Sequence, residues 1–248
     1  MTRTAYHPRA DSSLQRFQGW LSALVQQTQT GLSAPPQRQA PGILKPRAQQ
    51  PTRPHTSTSQ SYTELQSTPQ RTEFHAPLRG RVLVIADAQN LSYSLRKHGY
   101  DCDFAALLGI IHAHASGAHA HAFVRLPDQA ACSYANHYFR GAGWHANSSV
   151  SPMAGHGPYR HRKANSDNDI LLATGELIAR HRPNTIVIAS GDGDLGCDIA
   201  AHILQRLDKA QIHTVSISGT TSSRLHRMHN PHITANTLLG WDCICAAR

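Results

Sequence analysis

The sequence predicts a parallel α/β fold, a Rossmann-like sheet of about five strands with helices on both faces. The run at 82–86 (VLVIA) is unbroken by polar residues and that at 185–189 (TIVIA) is apolar after its first residue, which marks strands covered on both faces. Helical patterns alternate with these and other strand-like runs, as crossover connections in a parallel sheet require. Composition changes near residue 79 and leaves 170 residues for the domain, ample for one hydrophobic core.

The first 78 residues hold 8 Lys and Arg against 3 Asp and Glu, with 9 of the 14 prolines and 12 glutamines. They cannot bury enough apolar surface to offset their ordering entropy, so a disordered basic arm is expected. Within it, Leu14, Phe17, Leu21, Leu24 and Val25 fall at helical spacing after Ser12 or Ser13, predicting a short amphipathic helix over 13–26. That helix would dock on a protein partner or on the domain, or fray without a role. The Arg-rich, acid-poor start also suits a transit peptide. From 32 to 77, Pro35-Pro36, Pro41-Gly42, Pro46, Pro51, Pro54 and a Thr/Ser run at 56–61 read as linker.

In the domain, 79–248, the strand at 82–86 is followed by a helix at 104–111 and a strand at 118–126 (AHAHAFVRL). A helix at 128–140 and a weaker strand at 144–150 come next. The helix at 169–180 presents Ile170, Leu171, Ala173, Leu177 and Ile178 to a core; the strand at 185–189, a helix at 195–207 and a strand at 212–217 complete the series. A sheet that winds outward through three strands and then crosses back makes the first and fourth strands neighbours, with a ligand-binding switch point at their carboxyl ends.

The chain carries 24 Lys and Arg against 15 Asp and Glu, a net charge of +9 before its 18 histidines are counted. This favours an anionic partner: nucleic acid first, an anionic membrane surface second. No run approaches the roughly 18–20 apolar residues of a membrane span, and the two arginines of the first ten residues precede no apolar segment, which argues against a secretory signal. The five cysteines, Cys102, Cys132, Cys197, Cys243 and Cys245, show no Cys-x-x-Cys spacing and read as small buried residues in a reducing compartment. A cytoplasmic protein is expected; a small disulfide scaffold is excluded.

Against that basic background the acids are informative. Asp87 directly follows the first buried strand, in Ala86-Asp87-Ala88-Gln89-Asn90, and Asp192 and Asp194 follow the fourth, in Ser190-Gly191-Asp192-Gly193-Asp194. Asp167-Asn168-Asp169 opens the helix between them. Each group has a plain structural reading, as helix caps or turn residues. Together they bring three or four carboxylates to one edge, where like charges raise one another's pKa unless a cation is present. Oxygen donors of this kind suit Mg²⁺ or Mn²⁺.

An acidic metal site in a basic protein suits phosphodiester hydrolysis, in which the metal neutralises the scissile phosphate and Lys and Arg hold the flanking backbone. Arg160, His161, Arg162 and Lys163 are placed for that role, at the end of a glycine-bearing loop over about 141–163 able to move over a strand of nucleic acid; a solvated loop is the plainer alternative. Tyr159 and Trp144 are candidates to stack on bases. Among the histidines, His112, His114, His119 and His121 alternate with alanine and suggest a half-exposed polar face. The Cys/His spacing of a structural zinc site is missing. His137, His145, His156 and His161 are the candidates for contact with nucleic acid.

Taken together, 82–90 with its Asp-x-x-Asn, Lys163 with Asp169-Ile170-Leu171-Leu172-Ala173, and 186–195 (IVIASGDGDL) resemble the NYN domain of the PIN-like nuclease superfamily over about residues 79–240. The resemblance implies metal-dependent cleavage of RNA first and of DNA second; single-stranded RNA is the expected partner. It also implies that Asp87, Asp169, Asp192 and Asp194 are metal ligands or their immediate support, that Asn90 holds the site or a phosphate, and that Ser190 braces the loop. Of Asp167 and Asp169, the apolar residues at 170–173 favour Asp169. The chain departs from the family at Gly175, where another acid is frequent, at Leu195 in place of an aromatic, and at Asn236 in place of aspartate. Those departures leave a second reading, a catalytically weak or inactive RNA-binding or regulatory protein. An aspartyl phosphotransferase would carry an acid two residues after Asp87, where this chain has Gln89.

Overall fold

The computed structural model describes residues 68–151, 153–154, 161–162, 166–207, 209–226 and 230–247. The helix expected at 13–26 lies outside them, as do Tyr159, Arg160, Lys163 and His156.

The chain opens with β1 (Val82–Asp87), α1 (Ala88–Arg96), β2 (Tyr100–Cys102), α2 (Phe104–His114), β3 (Ala118–Leu126), α3 (Gln129–Gly141) and β4 (His145–Val150). Two short strands, β5 (Met153–Ala154) and β6 (His161–Arg162), pair antiparallel. Then come α4 (Asp167–His181), β7 (Thr185–Ala189), α5 (Gly193–Leu204), β8 (Gln211–Ser216), β9 (Ala235–Leu238) and β10 (Ile244–Ala246).

Six strands form one sheet in the order β4-β3-β1-β7-β8-β9, every neighbouring pair parallel. β1 lies between β3 and β7, with Ala86 opposite Ala122 on one side and Ala189 on the other. The chain therefore winds outward through β1, β3 and β4 and crosses back, and the switch point falls between β1 and β7 as the sequence predicts. The strand that sequence pattern passed over is β9, whose four residues include the polar Asn236 and Thr237.

Period-two alternation in β1 divides its side chains between two cores. Val82, Val84 and Ala86 pack with Leu91 and Leu95 of α1, Leu107 and Ile111 of α2 and Phe139 of α3. Leu83 and Ile85 pack with Ile170 and Ile178 of α4 and Ile199 and Ile203 of α5. This two-sided burial is why β1 is apolar at every position from 82 to 86 and β7 from 186 to 189, with the buried Thr185 hydroxyl of β7 satisfied by donating to the Arg79 carbonyl at 2.8 Å.

Residues 68–78, grouped with the tail by composition, lie against the end of the domain. Thr72 donates its N–H to the Asp242 carboxylate at 3.0 Å and its hydroxyl at 2.8 Å, and its Oγ1 accepts the Gly240 N–H at 2.8 Å. Phe74 meets the rings of His114 and His213, and Leu78 is buried. None of the five cysteines, all among the described residues, is in a disulfide. No helix among the described residues is long and apolar enough to cross a membrane.

Candidate active site

Three acid-bearing helix starts meet at the carboxyl edge of the sheet. Asp87 ends β1 and caps α1, its Oδ1 accepting the Asn90 N–H at 3.0 Å. Asp192 caps α5 after β7, its Oδ1 accepting the N–H groups of Asp194 at 2.8 Å and Leu195 at 3.3 Å. Asp167 and Asp169 occupy the first turn of α4. A carboxylate at a helix N-terminus meets unpaired N–H groups and the positive end of the dipole, so these positions suit anions locally.

Asp87 is only 6% exposed. Burial pushes its carboxyl up to about 7, the Asn90 N–H opposes that, and the charges of Asp167 and Asp192 push it further up. Two other carboxylates thus act on Asp87. Asp169 has different company: Arg125, near the end of β3, donates from Nε to Oδ2 at 2.8 Å and from Nη2 to Oδ1 at 2.7 Å, and Ser149 of β4 donates to Oδ2 at 2.9 Å. The Arg125 bonds hold the Asp169 carboxyl below its ordinary value against a smaller effect of burial, with Ser149 assisting. Asp194 is exposed and pairs with Arg224. Of the two first-turn acids of α4, Asp167 is the one whose charge acts on Asp87, and Asp169 is the one that Arg125 and Ser149 engage.

The supporting residues bind the two strand-end turns together. Asn90 Oδ1 accepts the Gly191 N–H at 2.9 Å, and Ser190 Oγ accepts the Asp192 N–H at 3.1 Å. The loop after β8 closes over the same turn, with the Ser222 N–H on the Gly191 carbonyl at 3.1 Å. A side chain at Gly193 would collide with Ser222, so only glycine fits there. Arg125, Ser149 and Ser222 were not singled out from the sequence. Arg125 alone left a signal, a charge at the end of an apolar strand.

Other candidates stand elsewhere. Trp144 does not stack on bases: it is 2% exposed and donates its indole N–H to the Phe104 carbonyl at 2.8 Å, because the apolar face it completes needs its bulk. His145 begins β4, at the edge opposite the carboxylates, and its ring stacks on His121 at 4.8 Å between centroids. His121 is buried, not part of a half-exposed face. Arg162 lies in β6; His137 is exposed on α3. Leu195 is core, and Asn236 accepts the Thr214 hydroxyl at 2.6 Å between β8 and β9. At Gly175 an added Cβ would stand 2.9 Å from the His202 ring, so an acid there would displace α5 contacts.

Among the described residues no three His, Cys, Asp or Glu side chains form a ready-made cage for an ion. The donor chemistry still fits one kind of ion. Magnesium keeps several waters and takes one or two carboxylates plus phosphate oxygens. A buried carboxyl pushed up to about 7 beside two further carboxylates is the environment such a cation relieves.

Acid-bearing turns flanking the switch point of a parallel, doubly wound sheet define a Rossmann-like domain with an acidic ligand edge. The chain belongs to the NYN domain family, of the PIN-like nucleases; the family's model matches residues 81–235. A crystal structure of a protein of unknown function from Vibrio parahaemolyticus is similar in fold: TM-score 0.54 at 17% identity, over 69% of this chain and 100% of that one. No match was found among curated proteins.

Proposed function

We propose that the protein is a divalent-metal-dependent ribonuclease hydrolysing phosphodiester bonds at the Asp87, Asp167 and Asp192 edge. The observation that carries this reading is the Asp87 carboxyl, buried at a strand end and pushed up to about 7 with Asp167 and Asp192 beside it. Mg²⁺ or Mn²⁺ held there supplies Lewis acidity to the phosphate and a water of lowered pKa. The chain's own residues do the rest. Asn90 and Ser190 hold the two turns that present Asp87 and Asp192. Asp194 passes its N–H to Asp192 and keeps its carboxylate in the exposed pair with Arg224. The N-termini of α1, α4 and α5 favour the anionic backbone, and Arg160, Arg162, Lys163 and Tyr159 are proposed to hold single-stranded RNA beside the edge.

The test is cleavage of labelled single-stranded RNA with Mn²⁺ by wild type beside Asp192→Asn. Cleavage by wild type alone supports the reading. Equal cleavage by both, or none by either across divalent metals, removes it.

One observation favours a second reading, an RNA-binding or regulatory protein: arginines already engage Asp169 and Asp194. That reading expects RNA binding with steep salt dependence and no turnover. In both readings the N-terminal arm is a place for a protein partner.

A further inference from the structure

The start of α4 is secured differently from the other helices around it. Asp87, Asp128 and Asp192 each cap their own helix by accepting backbone N–H groups. Ser166, the corresponding residue of α4, makes no side-chain capping bond. The sheet reaches this first turn through the two Arg125 bonds and the Ser149 bond, all on Asp169. Beside them Ile170 is fully buried. A planar guanidinium matches both oxygens of a carboxylate, so the contact constrains orientation as well as distance. Asp167, two residues before Asp169, lies near enough that its charge acts on both Arg125 and Asp87.

Resting on the reading that Asp167 helps to hold the metal, we infer that Arg125 and Ser149 are positioning residues that act through Asp169. They lock the first turn of α4 to β3 and β4 and thereby turn Asp167 toward Asp87 and Asp192. Asp169 is then the latch and not a ligand. Residues two apart on a helix point about 200° from each other, so one of them can face the sheet's strands while the other faces the ion.

The experiment compares Arg125→Met, Asp169→Ala and the double variant in two readouts. The first is hydrogen exchange of the metal-free protein at the amides of residues 170–172. The second is Mn²⁺ affinity by electron paramagnetic resonance titration. Each single variant is expected to speed exchange there and to weaken Mn²⁺ binding by about tenfold, and the double variant to be no worse than either, because both remove one coupled contact. Arg125→Lys, which keeps the charge but loses the fork, should fall between wild type and Arg125→Met. Asp128→Asn, which weakens the cap of α3, should lower stability and leave Mn²⁺ affinity unchanged. Unaltered exchange in both single variants overturns the latch, and so do Mn²⁺ losses that multiply in the double variant, since Asp169 would then act on the ion directly. If exchange responds but wild type takes up no Mn²⁺ at millimolar concentration, the latch stands and the metal reading falls.

Discussion

Asn90 and Gly191, 101 residues apart, are joined by one hydrogen bond, the Gly191 N–H donating to Asn90 Oδ1 at 2.9 Å. The Asn90 N–H in turn donates to Asp87 at 3.0 Å. A single residue therefore ties the turn after β1 to the turn after β7 across the switch point, and the distance between Asp87 and Asp192 depends on it.

Asn90→Ala leaves the buried Gly191 N–H without its acceptor. The expected cost is about 1–2 kcal/mol, seen as a lower urea midpoint at unchanged slope. Mn²⁺ affinity should drop with it. A variant that binds Mn²⁺ as wild type does would show that the bridge has no part in setting the site.

Asp87 is a charge buried at a cost to the fold. A carboxyl at about 7 in the native state and 3.8 when unfolded penalises folding above pH 7, and the penalty fades as pH falls toward 3.8. Metal-free Asp87→Asn is therefore expected to be more stable than wild type at pH 8, by roughly 1–3 kcal/mol. The gain should shrink toward pH 4 in thermal melts, and Mn²⁺ binding should be lost throughout. A less stable variant at pH 8 would contradict this account.

His213 has the opposite dependence. It is fully buried in β8, and neither ring nitrogen has a hydrogen-bond partner among the described residues. Burial lowers its pKa from 6.5 to about 4, so between those values the unfolded chain binds more protons and stability falls as pH falls. His121 behaves alike, through burial and then the neighbouring His145 and His181. His213→Leu should recover up to about 3 kcal/mol of the acid loss between pH 6.5 and pH 4. Urea unfolding of both proteins at pH 7 and pH 4.5 isolates the His213 share from the Asp87 one, and parallel losses in the two would refute it.

Gly240 faces the backbone of Arg71 and Thr72 so closely that a Cβ would stand 2.6 Å from the Thr72 nitrogen. Gly240→Ala must push residues 68–78 off the domain or shift its own segment, at a cost above about 2 kcal/mol. Limited proteolysis should then cut within 68–78 in the variant before wild type. Equal cutting would mean that this segment contributes little.

Much of the fold was legible because burial on both faces of a strand demands a near-continuous apolar run, a condition met at 82–86 and 186–189 by local pattern alone. α1 escaped that reading because its cap is the strand-ending Asp87 and its apolar signal is little more than Leu91 and Leu95. β9 escaped because a short edge strand with Asn236 and Thr237 carries almost no periodicity. Trp144 was misplaced for a related reason: an aromatic after Gly143 reads equally well as a loop residue or as the plug of a core.

The acidic edge was legible too, since acids that follow buried strands must lie at the carboxyl end of the sheet. Which of them are engaged by arginines was not. Asp167 and Asp169 are both polar first-turn residues of one helix, and sequence spacing treats them alike. Their difference comes from Arg125 and Ser149, 44 and 20 residues distant, which the order β4-β3-β1 carries to one side of α4. Local periodicity was enough for fold class and strand ends because it reports burial residue by residue. The partners of each carboxylate, and with them its charge state, depend on which strands lie side by side, and only the folded chain decides that.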